Sequence, residues 1–165
     1  MDAPRVTRRS FVLGGTAAAA ALALPSWTTA AANRASGYAR LMRELRAATR
    51  GAVVTRQDAG LMVAAQIWNQ RFDGRRPYGV LYAVDERDVQ QAVRWAARHD
   101  IPITARAGGH SYQGYSTIND GLIVDLTNMA AVVPQRGAVP YARIGGGTAL
   151  GVAYRELAPY GLTIP

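Results

Sequence analysis

Ile101-Pro102-Ile103-Thr104-Ala105-Arg106-Ala107-Gly108-Gly109-His110-Ser111-Tyr112-Gln113-Gly114-Tyr115-Ser116 is the stretch on which the reading of this chain turns. Its first four residues are β-prone, and the rest is a polar loop carrying glycines. The consecutive glycines Gly108 and Gly109 remove two Cβ atoms and open conformations with φ > 0, so that successive N–H groups can converge on one point. Such a nest favours an anion; Ser111 adds a hydroxyl donor and Gly114 a second close approach. These residues alone fit either a phosphate or pyrophosphate cradle or an ordinary connecting turn.

Working outward, Val80-Leu81-Tyr82-Ala83-Val84 reads as a strand, and Asp85 as the N-cap of a helix with Asp88 in its first turn. That helix presents Val89, Val93 and Ala96 or Ala97 on one side and closes near His99-Asp100, where His99 is expected to meet the carbonyl end. With Ile101–Thr104 this spells β-α-β. Downstream, Asn119-Asp120-Gly121 is a turn and Leu122–Leu126 a strand, whose Asp125 is expected to satisfy backbone donors. Tyr141–Ile144 follows as a strand, Thr148 as a helix cap, Leu150–Leu157 as a helix and Gly161 as its end. Leu162-Thr163-Ile164-Pro165 opens a further strand and stops, so the chain is expected to be a fragment of a larger domain. Upstream, Leu41, Met42 and Leu45 predict an amphipathic helix over Tyr38–Arg50, with Gly51 as its C-terminal cap. Val53-Val54-Thr55 predicts a strand. Asp58 is expected to cap a second helix running through Met62, Ala65 and Ile67 to Trp68-Asn69, and Arg75-Arg76-Pro77 breaks the pattern.

The 165 residues are 49% hydrophobic and 18% charged, a globular composition. With no cysteine, a disulfide framework, a thiolate metal site and a cysteine nucleophile are excluded. The two histidines have no neighbouring carboxylate pair, and no metal site is expected. Net charge is +8, and all 19 basic residues are arginine. They are scattered among acids and apolar residues, so no nucleic-acid partner is expected. Thr7-Arg8-Arg9-Ser10-Phe11-Val12-Leu13, followed by an uncharged Ala- and Gly-rich stretch and by Ala30-Ala31-Ala32 before Asn33, resembles a twin-arginine export signal with an A-x-A cleavage site. That resemblance implies the twin-arginine (Tat) translocase as a partner, a secreted, periplasmic or extracellular location, and export of a chain already folded around a cofactor. No membrane span is expected outside this leader.

The ordered pattern from Arg106-Ala107-Gly108-Gly109-His110-Ser111 to Gly114, with Asp120-Gly121-Leu122-Ile123-Val124-Asp125-Leu126 behind it, resembles the flavin-binding segment of the berberine-bridge-enzyme-like branch of the vanillyl-alcohol-oxidase flavoproteins. Trp68-Asn69, Arg76-Pro77, Asp88-Val89 and Gly161-Leu162-Thr163-Ile164-Pro165 agree with it, and the likeness covers roughly Gly51 to Pro165. It implies an α+β, PCMH-type FAD-binding domain comprising a first α/β subdomain and part of a second. The division expected is 1–32 signal peptide, 33–73 helical lead-in and 74–165 incomplete FAD-binding domain. It also implies that Arg106, Ala107, Gly108, Gly109, His110, Ser111 and Gly114 bind FAD, with the loop backbone around the pyrophosphate. His110 is then the covalent attachment point, since a neutral imidazole is a nucleophile near neutral pH able to add at the flavin 8α-methyl; without the resemblance it reads as a solvated loop histidine. Tyr112 and Tyr115 either line the isoalloxazine pocket or pack beneath the loop. The implied activity is oxidation of an alcohol or hemiacetal carbon of a small molecule, with the catalytic residues unknown. The rival expectation is a noncatalytic truncation unable to retain FAD. Gly145-Gly146-Gly147-Thr148-Ala149-Leu150 lacks the glycine spacing of a dinucleotide fingerprint and is expected to be a tight strand-to-helix turn.

Overall fold

The structure is a computed structural model that describes residues 26–137 and 139–164, with side chains from residue 36 onward. Its elements are α1 (Ser26–Ala48), β1 (Ala52–Thr55), α2 (Leu61–Ala64), β2 (Gly79–Tyr82), α3 (Glu86–His99), β3 (Ile103–Arg106), β4 (Leu122–Asp125), β5 (Val132–Gln135), β6 (Tyr141–Ile144) and α4 (Leu150–Leu157). The twin arginines and the apolar stretch behind them lie outside the described residues, whereas Ala30–Ala32 fall within α1, which begins well before the Tyr38 expected of it.

One mixed sheet, in the order β1-β2-β4-β3, forms the body of the α/β fold. β2, β4 and β3 run parallel, with Leu81 opposite Val124 and Arg106 opposite Asp125, and β1 is antiparallel to β2. Parallel strands covered on both faces need apolar residues at every position, which is why Val80-Leu81 and Leu122-Ile123-Val124 are continuous apolar runs and fully buried. On one face Met42, Leu45, Trp95 and Ala92 pack against Leu81, Leu122 and Val124; on the other Leu61 and Ala65 cover Val80 and Ile123.

α3 starts where the sequence places it. Asp85 is extended, and its carboxylate accepts the Asp88 N–H at 3.0 Å. The helix ends at Asp100, which takes a left-handed conformation (φ 51°). Of the side expected to face inward, Val89 packs against the core and Ala96 is buried, but Val93 is exposed, and the buried face is completed by Asp88, Ala92 and Trp95. Trp95 fixes this rotation, because burying its ring outweighs burying a valine. Asp88 itself is 1% exposed, and its Oδ1 accepts the Arg50 N–H while its Oδ2 accepts those of Gly51 and Val84. Gly51 is therefore no left-handed cap: a Cβ there would lie 2.1 Å from the Tyr82 carbonyl oxygen, so the position requires glycine for close approach.

α1 is held by its buried side and by a tyrosine pair. Tyr38 stacks on Tyr78 with centroids 4.1 Å apart, and the Tyr78 hydroxyl donates to that of Tyr38 at 2.6 Å. Burial first, and this hydrogen bond second, push the Tyr78 phenol up to about 12. His99 does not turn to the carbonyl end of α3. Its Nε2 lies 3.0 Å from Glu44 Oε2 on α1, with Arg98 bonding the same carboxylate. Bonds from His99 and then Arg98 hold Glu44 below the ordinary glutamate value.

Three further expectations are corrected. The helix drawn from Asp58 to Asn69 shrinks to α2 and a 3-10 turn at Gln70–Phe72. Asp58 caps no helix with its side chain; that carboxylate accepts from the Thr55 N–H and hydroxyl and pairs with Arg46. Thr148 does not cap α4, whose N-cap is Ala149; the threonine hydroxyl donates to the Ala131 carbonyl instead. Residues 162–164 form no strand. Conversely, β5 was not anticipated from sequence. It pairs antiparallel with β6 as a separate two-stranded ribbon, in which Pro134 sits opposite Ala142 and the ladder tolerates its missing N–H. Among the described residues no helix is long and apolar enough to cross a membrane.

Candidate cofactor-binding site

In open sheets of this kind ligands gather at the carboxyl ends of the parallel strands. β3 ends there in Arg106, whose side chain is 6% exposed and donates from Nε to Asp125 Oδ2 at 2.6 Å across the β3–β4 register. Its Nη1 reaches the Gln66 carbonyl at 3.2 Å, and the other oxygen of Asp125 accepts the Thr127 N–H. Asp125 thus does satisfy a backbone donor, and it also carries the buried ion pair. The Arg106 guanidinium lies underneath the loop, anchoring its first residue.

Beyond Arg106 the loop is tied down by its oxygens. The Trp68 N–H donates to Gly109 O at 3.0 Å, Asn69 Nδ2 to Tyr112 O at 2.9 Å, and Arg75 Nη1 to Gly114 O at 2.6 Å. The Thr104 hydroxyl bonds Tyr115 O, the Gly114 N–H bonds Ser111 O, and the Tyr115 N–H bonds Ser111 Oγ. None of the amides from Gly108 to Gln113 donates to a protein acceptor among the described residues. N–H groups left without an internal acceptor are donors available to an anion. Ser111 Oγ, already an acceptor, keeps its own hydrogen to donate.

Two glycines make the path possible, though not the adjacent pair expected. Gly109 and Gly114 both have φ 71°, whereas Gly108 does not have positive φ. A Cβ on Gly114 would also lie 2.8 Å from the Phe72 ring. Ala107 is half-buried and His110 exposed. The His110 ring faces Trp68 at 6.3 Å between centroids, and Trp68 meets Tyr112 edge-on at 5.4 Å. Tyr112 and Tyr115 are exposed, so neither is packed beneath the loop. Within the loop Gly108, His110, Tyr112 and Gln113 are exposed, Ala107 and Ser111 half-buried, and Gly109 and Gly114 buried like Arg106. The sequence reading missed the clamp, namely Gln66, Asn69 and Arg75 as ties and Trp68 as a flanking ring. Its one signal was Trp68-Asn69 as part of the family likeness. A cavity of about 800 Å³ opens along the same edge of the sheet, between the start of α3, residues 128–131 and the β5–β6 ribbon. None of residues 106–114 lines it.

Residues 77–165 match a family described as FAD binding domain. The chain belongs to that family. Relatives of this FAD-binding domain include the uncharacterized FAD-linked oxidoreductase YgaK of Bacillus subtilis, 34% identical over 115 residues that make up 70% of this chain and 25% of that protein. (R)-6-hydroxynicotine oxidase of Paenarthrobacter nicotinovorans is 35% identical over 116 residues, 68% of this chain and 24% of that protein. Among solved structures, 6-hydroxy-D-nicotine oxidase from Arthrobacter nicotinovorans superposes with a TM-score of 0.61 at 31% identity, covering 70% of this chain and 25% of the other. BBE-like 1 of Physcomitrella patens gives 0.66 at 25% identity, covering 72% and 26%. The chain thus spans about a quarter of the length of the curated relatives it matches. FAD is the cofactor of the family, and the residues present fit it: amides without a protein acceptor among the described residues, beside the Ser111 hydroxyl, suit a diphosphate.

Proposed function

We propose that this FAD-binding domain serves an exported oxidoreductase that oxidises an alcohol or hemiacetal carbon of a small molecule, such as a sugar or secondary metabolite, with the flavin joined covalently to His110. One observation carries the reading: the amides from Gly108 to Gln113 have no protein acceptor among the described residues, and the His110 imidazole among them is exposed. In this reading the amides and Ser111 hold the diphosphate, Gly109 and Gly114 set the curvature, and Arg106 with Asp125 fixes where the loop begins. His110 supplies the nucleophilic nitrogen of the tether. The flavin, once bound, supplies the two-electron acceptor, and the protein contributes placement and electrostatics.

The test is flavin fluorescence in a denaturing gel of the full-length protein, beside a His110→Ala variant. The expected result is fluorescence that survives denaturation in the first and is absent from the second. A native protein that is colourless and gains no mass on incubation with FAD would sink the reading and favour the noncatalytic truncation. Export is proposed on Arg8-Arg9 ahead of the uncharged stretch. Replacing both arginines by lysine should leave the protein inside the cell; unchanged export would dismiss the twin-arginine route.

A further inference from the structure

We propose that Trp68 and Asn69 form a bracket that orients the His110 imidazole for attachment, with Trp68 as a positioning residue; this rests on the covalent tether proposed above. Trp68 is 60% exposed, so its indole is not held there by burial. The Trp68 backbone N–H donates to Gly109 O, immediately before His110, and Asn69 Nδ2 donates to Tyr112 O, two residues after it. One dipeptide therefore grips the backbone on both sides of the imidazole. The grip is itself fixed, because Asn69 Oδ1 accepts the Arg71 N–H and so caps the 3-10 turn. From this fixed point the indole lies alongside the His110 ring, inclined by 30°, while Tyr112 stands edge-on to the indole at 82°. Both distances fall within the range over which aromatic rings attract one another.

An exposed histidine otherwise visits several staggered χ1 wells, and only some of them bring a ring nitrogen to a reacting carbon. Attachment forms one C–N bond from an imidazole nitrogen to the flavin 8α carbon. The imidazole hydrogen, one methyl hydrogen and the electron pair leave with dioxygen as hydrogen peroxide. Restricting the ring raises the rate of that bond formation, whereas the tie on Gly109 O is made by the Trp68 backbone N–H and does not depend on the indole.

The full-length apoprotein is incubated with FAD, and samples are quenched over time. Covalent flavin is read by gel fluorescence and intact mass, and total bound flavin by absorbance of the desalted native protein. Trp68→Ala should retain FAD but attach it about tenfold more slowly, and Trp68→Phe should recover most of the rate. Attachment by Trp68→Ala at the wild-type rate overturns the inference and leaves the tether standing. Loss of all bound FAD in Trp68→Ala also overturns it, because the residue would then serve nucleotide affinity. A wild-type protein whose flavin is wholly released by denaturation removes the tether itself.

Discussion

Two glycine turns follow strands in this molecule, and they use glycine to opposite ends. After β3, Gly109 is required for its φ of 71°, since a Cβ there would meet nothing closer than 3.7 Å. The adjoining amides have no protein acceptor among the described residues. After β6, Gly145 and Gly147 have no positive φ, yet a Cβ would lie 2.1 Å from Met129 O in one case and 1.7 Å from Leu126 O in the other. Their N–H groups are spent internally, on Ala131 O and Met129 O. The second turn is a packing joint between the ribbon and residues 126–131; the first is a surface kept available. A glycine run becomes a candidate ligand loop when its donors are unspent, whatever its resemblance to a fingerprint.

The largest effect should come from the anchor of the loop after β3. Asp125→Ala leaves the buried Arg106 without its partner and should cost about 3–5 kcal/mol, read by chemical denaturation of the full-length protein. A cost below 1 kcal/mol would mean that the loop is not seated on this pair. Next, Gly147→Ala should cost about 3 kcal/mol by forcing the 126–131 segment apart, with any change in FAD content following from that instability. Gly109→Ala should show the reverse balance. A strain of about 1–2 kcal/mol from φ alone should accompany a loss of FAD retention disproportionate to it. If the two alanine variants lose stability and flavin in the same ratio, the contrast between the turns is false.

The smallest effect is expected away from both turns, at Tyr78, and serves as their control. A phenol raised in the folded state favours folding fully below its unfolded pKa near 10. That contribution should fade as pH rises through about 12. Tyr38→Phe should lower the Tyr78 midpoint in an ultraviolet titration while leaving flavin binding unchanged.

Much of the central fold was legible because its signals are local. The apolar runs at Val80 and Leu122 and the Asp85 cap each act within a few residues, so β2, α3 and β4 could be drawn from sequence. What failed depended on distant partners. Gly51 reads as a helix cap until the Tyr82 carbonyl is beside it, and His99 as a cap residue until Glu44 is. Thr148 looks like an N-cap, but Ala131 takes its hydroxyl. β5 was hidden by Pro134, which a paired strand ordinarily excludes. At the site, the loop residues were visible by type and spacing, but the ties from Asn69 and Arg75 span some forty residues and leave no periodic trace.

Asp88 carries a lesson about valence. Its two oxygens serve three amides from two stretches of chain, with two on the same atom. An asparagine would match its outline yet offer a single acceptor, and its NH2 would confront at least one N–H with another donor. At such a junction the number of lone pairs, more than the shape of the side chain, decides whether the end of α1, the end of β2 and the start of α3 can share one place.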